Sequence, residues 1–228
     1  MGRLTLLLNK LSLKLVVLIS GNGSNLQAII DATSTGELPV DIKAVISNRP
    51  NVNGLARAQA VNIPSLTLDH TLFETRETFD QELIKTIDSY QPDLIILAGF
   101  MRILSDSFVN HYSGKLLNIH PSLLPELKGL NTHQRALNAG MKQHGVTVHY
   151  VSNELDGGPL ILQAIININK NESEASLQLR IHQQEYIIYP MVIKWVAQQR
   201  LKMINQQVYL DKQLLKGPVK WINNQLVI

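Results

Sequence analysis

Short, continuous apolar runs separated by helix-patterned stretches constrain this 228-residue chain more than any single motif. Leu15-Val16-Val17-Leu18-Ile19-Ser20 shows no polar alternation and stops at Gly21, the pattern of a strand buried on both faces. Ser24 to Thr33 follows as a helix, and strands at Ile42 to Ile46 and Pro64 to Leu68 flank a short helix at Asn53 to Val61. From Glu74 to Tyr90, the residues Phe79, Leu83, Ile87 and Tyr90 share one helical face, and buried strands at Asp93 to Ala98 and Lys115 to Ile119 come next. Strand and helix in alternation build a mostly parallel sheet with helices on both faces, so the predicted fold is α/β and doubly wound.

The pattern changes after Ile119. Pro121, Pro125 and Gly129 make a rigid loop, Thr132 to Asn138 reads as a helix, and Gly145 to Val151 and Leu160 to Ile168 flank Asp156-Gly157-Gly158-Pro159 as an antiparallel pair. A long helix from Ser173 to Gln199, bent at Pro190, precedes an edge hairpin at Met203-Ile204 and Val208-Tyr209-Leu210. No repeat or linker divides the chain. It reads as one domain over 14–211, with an extension at 1–13 and a tail at 212–228. The apolar run from Leu4 to Leu8 is too short to span a bilayer, and Lys10 and Lys14 interrupt a signal-peptide core. A cytoplasmic protein without a membrane partner is expected.

Composition narrows the chemistry. With no cysteine, the chain has no disulfide framework, thiolate zinc site, iron–sulfur cluster or cysteine nucleophile. The net charge of +3 could point to nucleic acid, yet the excess sits at the ends, and residues 15–193 carry 12 basic against 17 acidic side chains. No nucleic-acid partner is expected. Seven histidines show no HxxxH or HxH pairing with matched carboxylates, so no metal is expected.

Gly21-Asn22-Gly23-Ser24-Asn25 joins the first strand to the first helix. Free amides at such a turn attract a phosphate, although an ordinary capped turn has the same composition. Leu26 stands where a dinucleotide fingerprint needs its third glycine, which favours a single phosphate over a dinucleotide. Asn118 and His120 end a strand on one side of it, where both can donate to a developing oxyanion; a histidine closing a strand is the plainer alternative. Asp156 in its turn is a common turn former, and beside a histidine it would hold the imidazole protonated. Glu185 falls within the apolar stripe Leu177, Ile181, Ile188, Val192 and Trp195, as either a snorkelling edge residue or a partner for a cationic ligand group. Phe100-Met101-Arg102-Ile103-Leu104 is an apolar loop that could line a pocket for a flat ring system or simply plug the core.

Taken together, Leu18-Ile-Ser-Gly-Asn-Gly-Ser-Asn-Leu-Gln-Ala-Ile30, Leu97-Ala-Gly-Phe-Met-Arg-Ile-Leu104, Leu117-Asn-Ile-His-Pro-Ser-Leu-Leu-Pro125 and Glu154-Leu-Asp-Gly-Gly-Pro159 closely resemble the phosphoribosylglycinamide formyltransferase family of purine biosynthesis, over about residues 14 to 211. The resemblance implies a formyltransferase-like, Rossmann-related fold and transfer of a formyl group from 10-formyltetrahydrofolate, as co-substrate, to the amine of glycinamide ribonucleotide. It implies that Asn118, His120 and Asp156 are catalytic, and that Gly23, Ser24, Asn25 and Glu185 bind the ribonucleotide. The folate site is implied at Arg76, Met101, Arg102, Ile103, Leu104, Asn118 and Asp156, with Asn153 to Asp156 closing over the pteridine. A monomer or weak homodimer is expected.

The implied mechanism is direct attack of the amine, with Asn118 and protonated His120 holding the oxyanion and Asp156 keeping His120 charged. Glu126-Leu127-Lys128-Gly129 departs from the arrangement of many relatives. The alternatives are a formyltetrahydrofolate hydrolase or a methionyl-tRNA formyltransferase, each needing a further domain, and a catalytically silent mononucleotide-binding protein.

Overall fold

Strands as uniformly apolar as 15–19 and 94–97 cannot leave a face in water, and in the computed structural model, which describes residues 12–227, they form the middle of a nine-stranded sheet. The elements are β1 (Leu13–Ile19), α1 (Ser24–Ser34), β2 (Val40–Ser47), α2 (Asn53–Ala60), β3 (Ser65–Thr67), α3 (Arg76–Asp88), β4 (Leu94–Leu97), α4 (Asp106–His111) and β5 (Leu116–His120). Then follow α5 (Thr132–Asn138), β6 (Gln143–Tyr150), β7 (Leu160–Asn167), α6 (Glu174–Ala197), β8 (Leu201–Ile204), β9 (Gln207–Leu210), β10 (Gln213–Leu214), β11 (Val219–Ile222) and β12 (Gln225–Val227). The sheet order is β12-β11-β7-β6-β5-β4-β1-β2-β3, and only β6 and β12 run against the rest.

Alternation along β1 divides the core. Leu15, Val17 and Ile19 pack with Leu26 and Ile29 of α1 and with Leu177, Ile181, Ile188 and Val192 of α6. Val16 and Leu18 face Phe79, Leu83 and Ile87 of α3 and Phe108 beside them. Each such fully buried side chain contributes about 1.5–3 kcal/mol of burial free energy. Helix α6 runs through Pro190, and the Tyr189 hydroxyl donates to the carbonyls of Leu97 and Leu117 at 2.9 and 3.1 Å, seating the helix against β4 and β5.

Three differences from the sequence reading have physical causes. Helix α4 was not expected, because six residues are too few to show a helical period; its start is marked by Ser105, whose Oγ accepts from Phe108 N–H. The expected C-terminal hairpin is β8–β9, which with β10 makes a separate three-stranded antiparallel sheet. Residues 212–228, set apart as a tail, supply β11, which pairs parallel with β7, and β12 outside it. Of the expected extension at 1–13, residues 1–11 lie outside the described residues and Leu13 opens β1.

Candidate active site

The turn after β1 needs its glycine. Gly23 has φ +72°, and a Cβ there would lie 2.7 Å from the Gly54 Cα, so any side chain collides with backbone. No side chain caps α1, which leaves its first amides to an outside acceptor. One residue into the helix, Asn25 Nδ2 donates to Glu185 Oε2 at 2.8 Å, while Asn25 Oδ1 is buried without a hydrogen-bond partner. Glu185 is 4% exposed, and burial pushes its carboxyl up to about 7, with the Asn25 hydrogen bond opposing only in part. The sequence-predicted ribonucleotide residues Gly23, Ser24, Asn25 and Glu185 are thus brought together, with an acceptor and a half-neutral carboxyl at one point.

Asn118 and His120 leave β5 on one side, opposite His149 and Thr147 of β6. Asp156 is held in the left-handed region at φ +49° and directs Oδ2 to within 3.4 Å of His120 Nδ1, where it also accepts from Gly129 N–H at 2.9 Å. The other ring nitrogen, Nε2, lies 3.0 Å from the Leu127 carbonyl, an acceptor only, so Nε2 carries a proton. Gly158 makes the Asp156 turn possible by close approach, since a Cβ there would lie within 2 Å of the Tyr150 carbonyl oxygen.

The folate-predicted residues are gathered only in part. Arg102, Ile103, Leu104, Asn118 and Asp156 line a small cavity of about 120 Å³ with Phe100 and His149. Met101 is 61% exposed at the loop's start, and the Arg76 guanidinium is exposed and donates to Glu77 Oε1 at 3.0 Å. Neither lines that cavity. A larger cavity of about 820 Å³ lies elsewhere, between α1 and α6; it touches the Gly21-to-Asn25 turn at Asn22 and Ser24 but none of Asn118, His120 and Asp156. Asn118, His149 and the buried Asp156 carboxylate converge on the smaller one, which makes it the candidate chemical centre. No group of three or more His, Asp or Glu among the described residues is arranged to hold a metal.

Known proteins resemble this chain in sequence and in fold. The formyl transferase family matches residues 13–193. The chain belongs to that family. This formyl transferase is 53% identical over 203 residues to the phosphoribosylglycinamide formyltransferase of Escherichia coli, covering 89% of this chain and 96% of the relative. The Haemophilus influenzae enzyme of that name is 46% identical over 202 residues, with 89% and 95% covered. A solved phosphoribosylglycinamide formyltransferase from Coxiella burnetii superimposes with a TM-score of 0.87 at 53% identity, covering 91% of this chain and 99% of that one.

Three residues of the candidate site were not foreseen. His149 is buried; its Nδ1–H donates to the Tyr150 carbonyl at 2.9 Å, so the neutral ring presents Nε2 as an acceptor for Asn118 Nδ2 at 3.2 Å. Burial drives its pKa down to about 4. Ser20 Oγ accepts from Met101 N–H at 2.7 Å, and Asp80 Oδ2 accepts from Ser105 N–H at 2.6 Å, so two buried side chains pin both ends of the 101–104 loop. Asp80 could have been found, since it is an acid beside Phe79 on the buried face of α3, as Glu185 is on α6. His149 and Ser20 gave no signal, because their roles depend on strand register.

Proposed function

We propose that this formyl transferase moves the formyl group of 10-formyltetrahydrofolate to the amine of N1-(5-phosphoribosyl)glycinamide, with Asn118, His120 and Asp156 as its catalytic groups. It is an enzyme of purine biosynthesis, and its products are the N-formyl ribonucleotide and tetrahydrofolate. The observation that carries the assignment of roles is the convergence on β5: an imidazole between two acceptors, beside an amide whose orientation is set by a neutral histidine.

Acceptors at both nitrogens suit a doubly protonated His120 ring. The 3.4 Å gap between Nδ1 and Asp156 is longer than an ordinary hydrogen bond and leaves Nδ1 able to donate to a third group while Nε2 stays on Leu127. As the amine lone pair bonds to the formyl carbon, negative charge gathers on the formyl oxygen. Asn118, with one amide hydrogen on His149, has the second free, and it and His120 Nδ1–H stabilise that charge. The carbon–nitrogen bond to the folate then breaks, and the proton lost by the amine passes to the departing nitrogen by way of Asp156 and water. Every bond made is matched by one broken, with no covalent enzyme intermediate.

At the other end, the amides of Gly23, Ser24 and Asn25 take the phosphate, and Glu185 with the free Asn25 Oδ1 accepts from the glycinamide. Phe100, Ile103, Leu104 and Val151 give the small cavity apolar walls fitted to a flat ring, and Arg76 supplies an exposed cation for the anionic part of the folate. At about 120 Å³ the cavity is well under the roughly 300–1,000 Å³ of ligand pockets, so the exposed Asn153 to Leu155 segment moves outward to admit the pteridine. The enzyme acts in the cytoplasm as a monomer or weak homodimer, without nucleic acid. No described helix is long and apolar enough to cross a membrane.

The test is formyl transfer to glycinamide ribonucleotide, with water as the competing acceptor. Asn118→Ala, His120→Ala and Asp156→Asn each lower turnover by about 10²–10⁴-fold with unfolding curves unchanged. Near-normal turnover in any of them removes that residue from the mechanism, and transfer to water alone would favour a hydrolase.

A further inference from the structure

The strand registers contain a row of polar residues that ends at His120. His120 is paired with Thr147 across β5 and β6, Thr147 with Gln163 across β6 and β7, and Gln163 with Lys220 across β7 and β11. In-register neighbours share a sheet face, so all four side chains lie on the side that carries the catalytic groups. The hydrogen bonds run along the row. Lys220 Nζ donates to Gln163 Oε1 at 2.5 Å, and Gln163 Nε2 donates to Thr147 Oγ1 and the Leu124 carbonyl at 3.0 and 2.8 Å. Thr147 Oγ1 donates to the Ser122 carbonyl at 2.7 Å and accepts from Leu124 N–H at 3.1 Å. Ser122 Oγ closes the loop by donating to the Glu126 carbonyl at 2.7 Å.

The segment from Pro121 to Leu127 is therefore held by two buried side chains, and its last carbonyl is the one that takes the His120 Nε2 proton. Ser122 and Thr147 are fully buried and Gln163 is 3% exposed. Both amide hydrogens of Gln163 are used, and its oxygen is satisfied by Lys220. Take the ammonium away and a buried acceptor loses its donor, which favours rotation of the amide away from Leu124. Lys220 lies three strand spacings of roughly 4.8 Å from His120, about 14 Å, so its influence is geometric, since its charge is screened over that distance.

We propose that Lys220 is a positioning residue for formyl transfer: from β11 it locks Gln163 and Thr147, and through them the 121–127 segment whose Leu127 carbonyl orients His120. The family match ends at residue 193, so this makes the C-terminal strand pair part of the catalytic unit. The inference rests on the proposed role of His120.

The experiment uses the full chain and compares Lys220→Met, which keeps length and loses donation, with Lys220→Arg, which keeps a donor. Lys220→Met lowers kcat about 5- to 10-fold with KM for both substrates within twofold, and Lys220→Arg regains at least half of the parent kcat. Gln163→Leu lowers kcat at least as much, and adding Lys220→Met to it costs nothing further. Exchange of the His120 Nε2 proton, followed by nuclear magnetic resonance, quickens in Lys220→Met. Should that variant fold poorly, Lys220→Gln, too short to reach Gln163, is scored in the same way. A kcat within twofold of the parent, failure of Lys220→Arg to rescue, full additivity with Gln163→Leu, or unchanged Nε2 exchange each overturns the proposal. If His120→Ala keeps parental turnover while the exchange effect stands, the catalytic role of His120 fails and the brace does not.

Discussion

At the proposed ribonucleotide site the groups stand on the start of α1 and the middle of α6, and they meet through one short bond, Asn25 to Glu185. At the proposed formyl-transfer site they stand on the end of β5 and on the Asp156 loop, and five further residues orient them: His149 for Asn118, Gly129 for Asp156, and Leu127, Thr147 and Gln163 on the His120 side. The first end is rigid because helices carry it. The second is rigid only because its network is complete. A binding contact tolerates small displacements, whereas donors aimed at a developing charge lose about 10² in rate for a misplacement of about 1 Å.

Short of removing a catalytic group, breaking the helical end at its tightest point has a large effect. Gly23→Ala must escape both a left-handed backbone and a collision with Gly54, so the turn shifts; the ribonucleotide KM rises roughly 10²-fold or more while the folate KM stays within twofold. Steady-state kinetics with each substrate varied checks this, and equal changes in both would deny the turn its phosphate. Breaking the orienting network comes next. His149→Leu frees the Asn118 amide and lowers kcat roughly 10- to 100-fold with KM unchanged. Because His149 is neutral well above its pKa of about 4, that loss is the same at pH 6 and pH 8; a loss that varies between them would mean that His149 exchanges protons itself.

A third break sharpens the contrast, because it separates binding from stability. Glu185 has a folded pKa of about 7 against an ordinary 4.5, so its burial cost is absent below pH 4.5, grows as pH rises and is complete above 7. Glu185→Gln is therefore more stable than the parent by roughly 3 kcal/mol at pH 8 and nearly equal to it at pH 4, read from denaturant unfolding at the two pH values. The same variant binds the ribonucleotide more weakly. A stability difference independent of pH would place the cost in packing instead of charge.

Much of this could be read from the chain alone. The apolar runs and the single periodic face of α3 are local patterns, and they placed the sheet and the helices α1, α2, α3, α5 and α6. Glu185 announced itself as an acid on an apolar stripe, and its burial decides against the snorkelling edge position that the pattern had left open. The short α4 and the pairing of β11 left no such mark: the first is shorter than two helical turns, and the second depends on which edge of a sheet a distant strand reaches.

The division follows from range. Periodicity, turn chemistry and motif spacing are properties of neighbours in sequence, and they determined the α/β class and singled out the Gly21-to-Asn25 turn, Asn118, His120 and Asp156 as candidates, whose roles the family resemblance implied. Which nitrogen of His120 is proton-bearing depends on the path of the loop that brings back the Leu127 carbonyl, while why Asn118 points as it does and how Lys220 comes to lie in line with His120 depend on the register of strands separated by 16 to 57 residues in the chain. Register is chosen by the packing of both sheet faces at once. That choice exists only in the folded molecule, and it is where orientation, as distinct from composition, is decided.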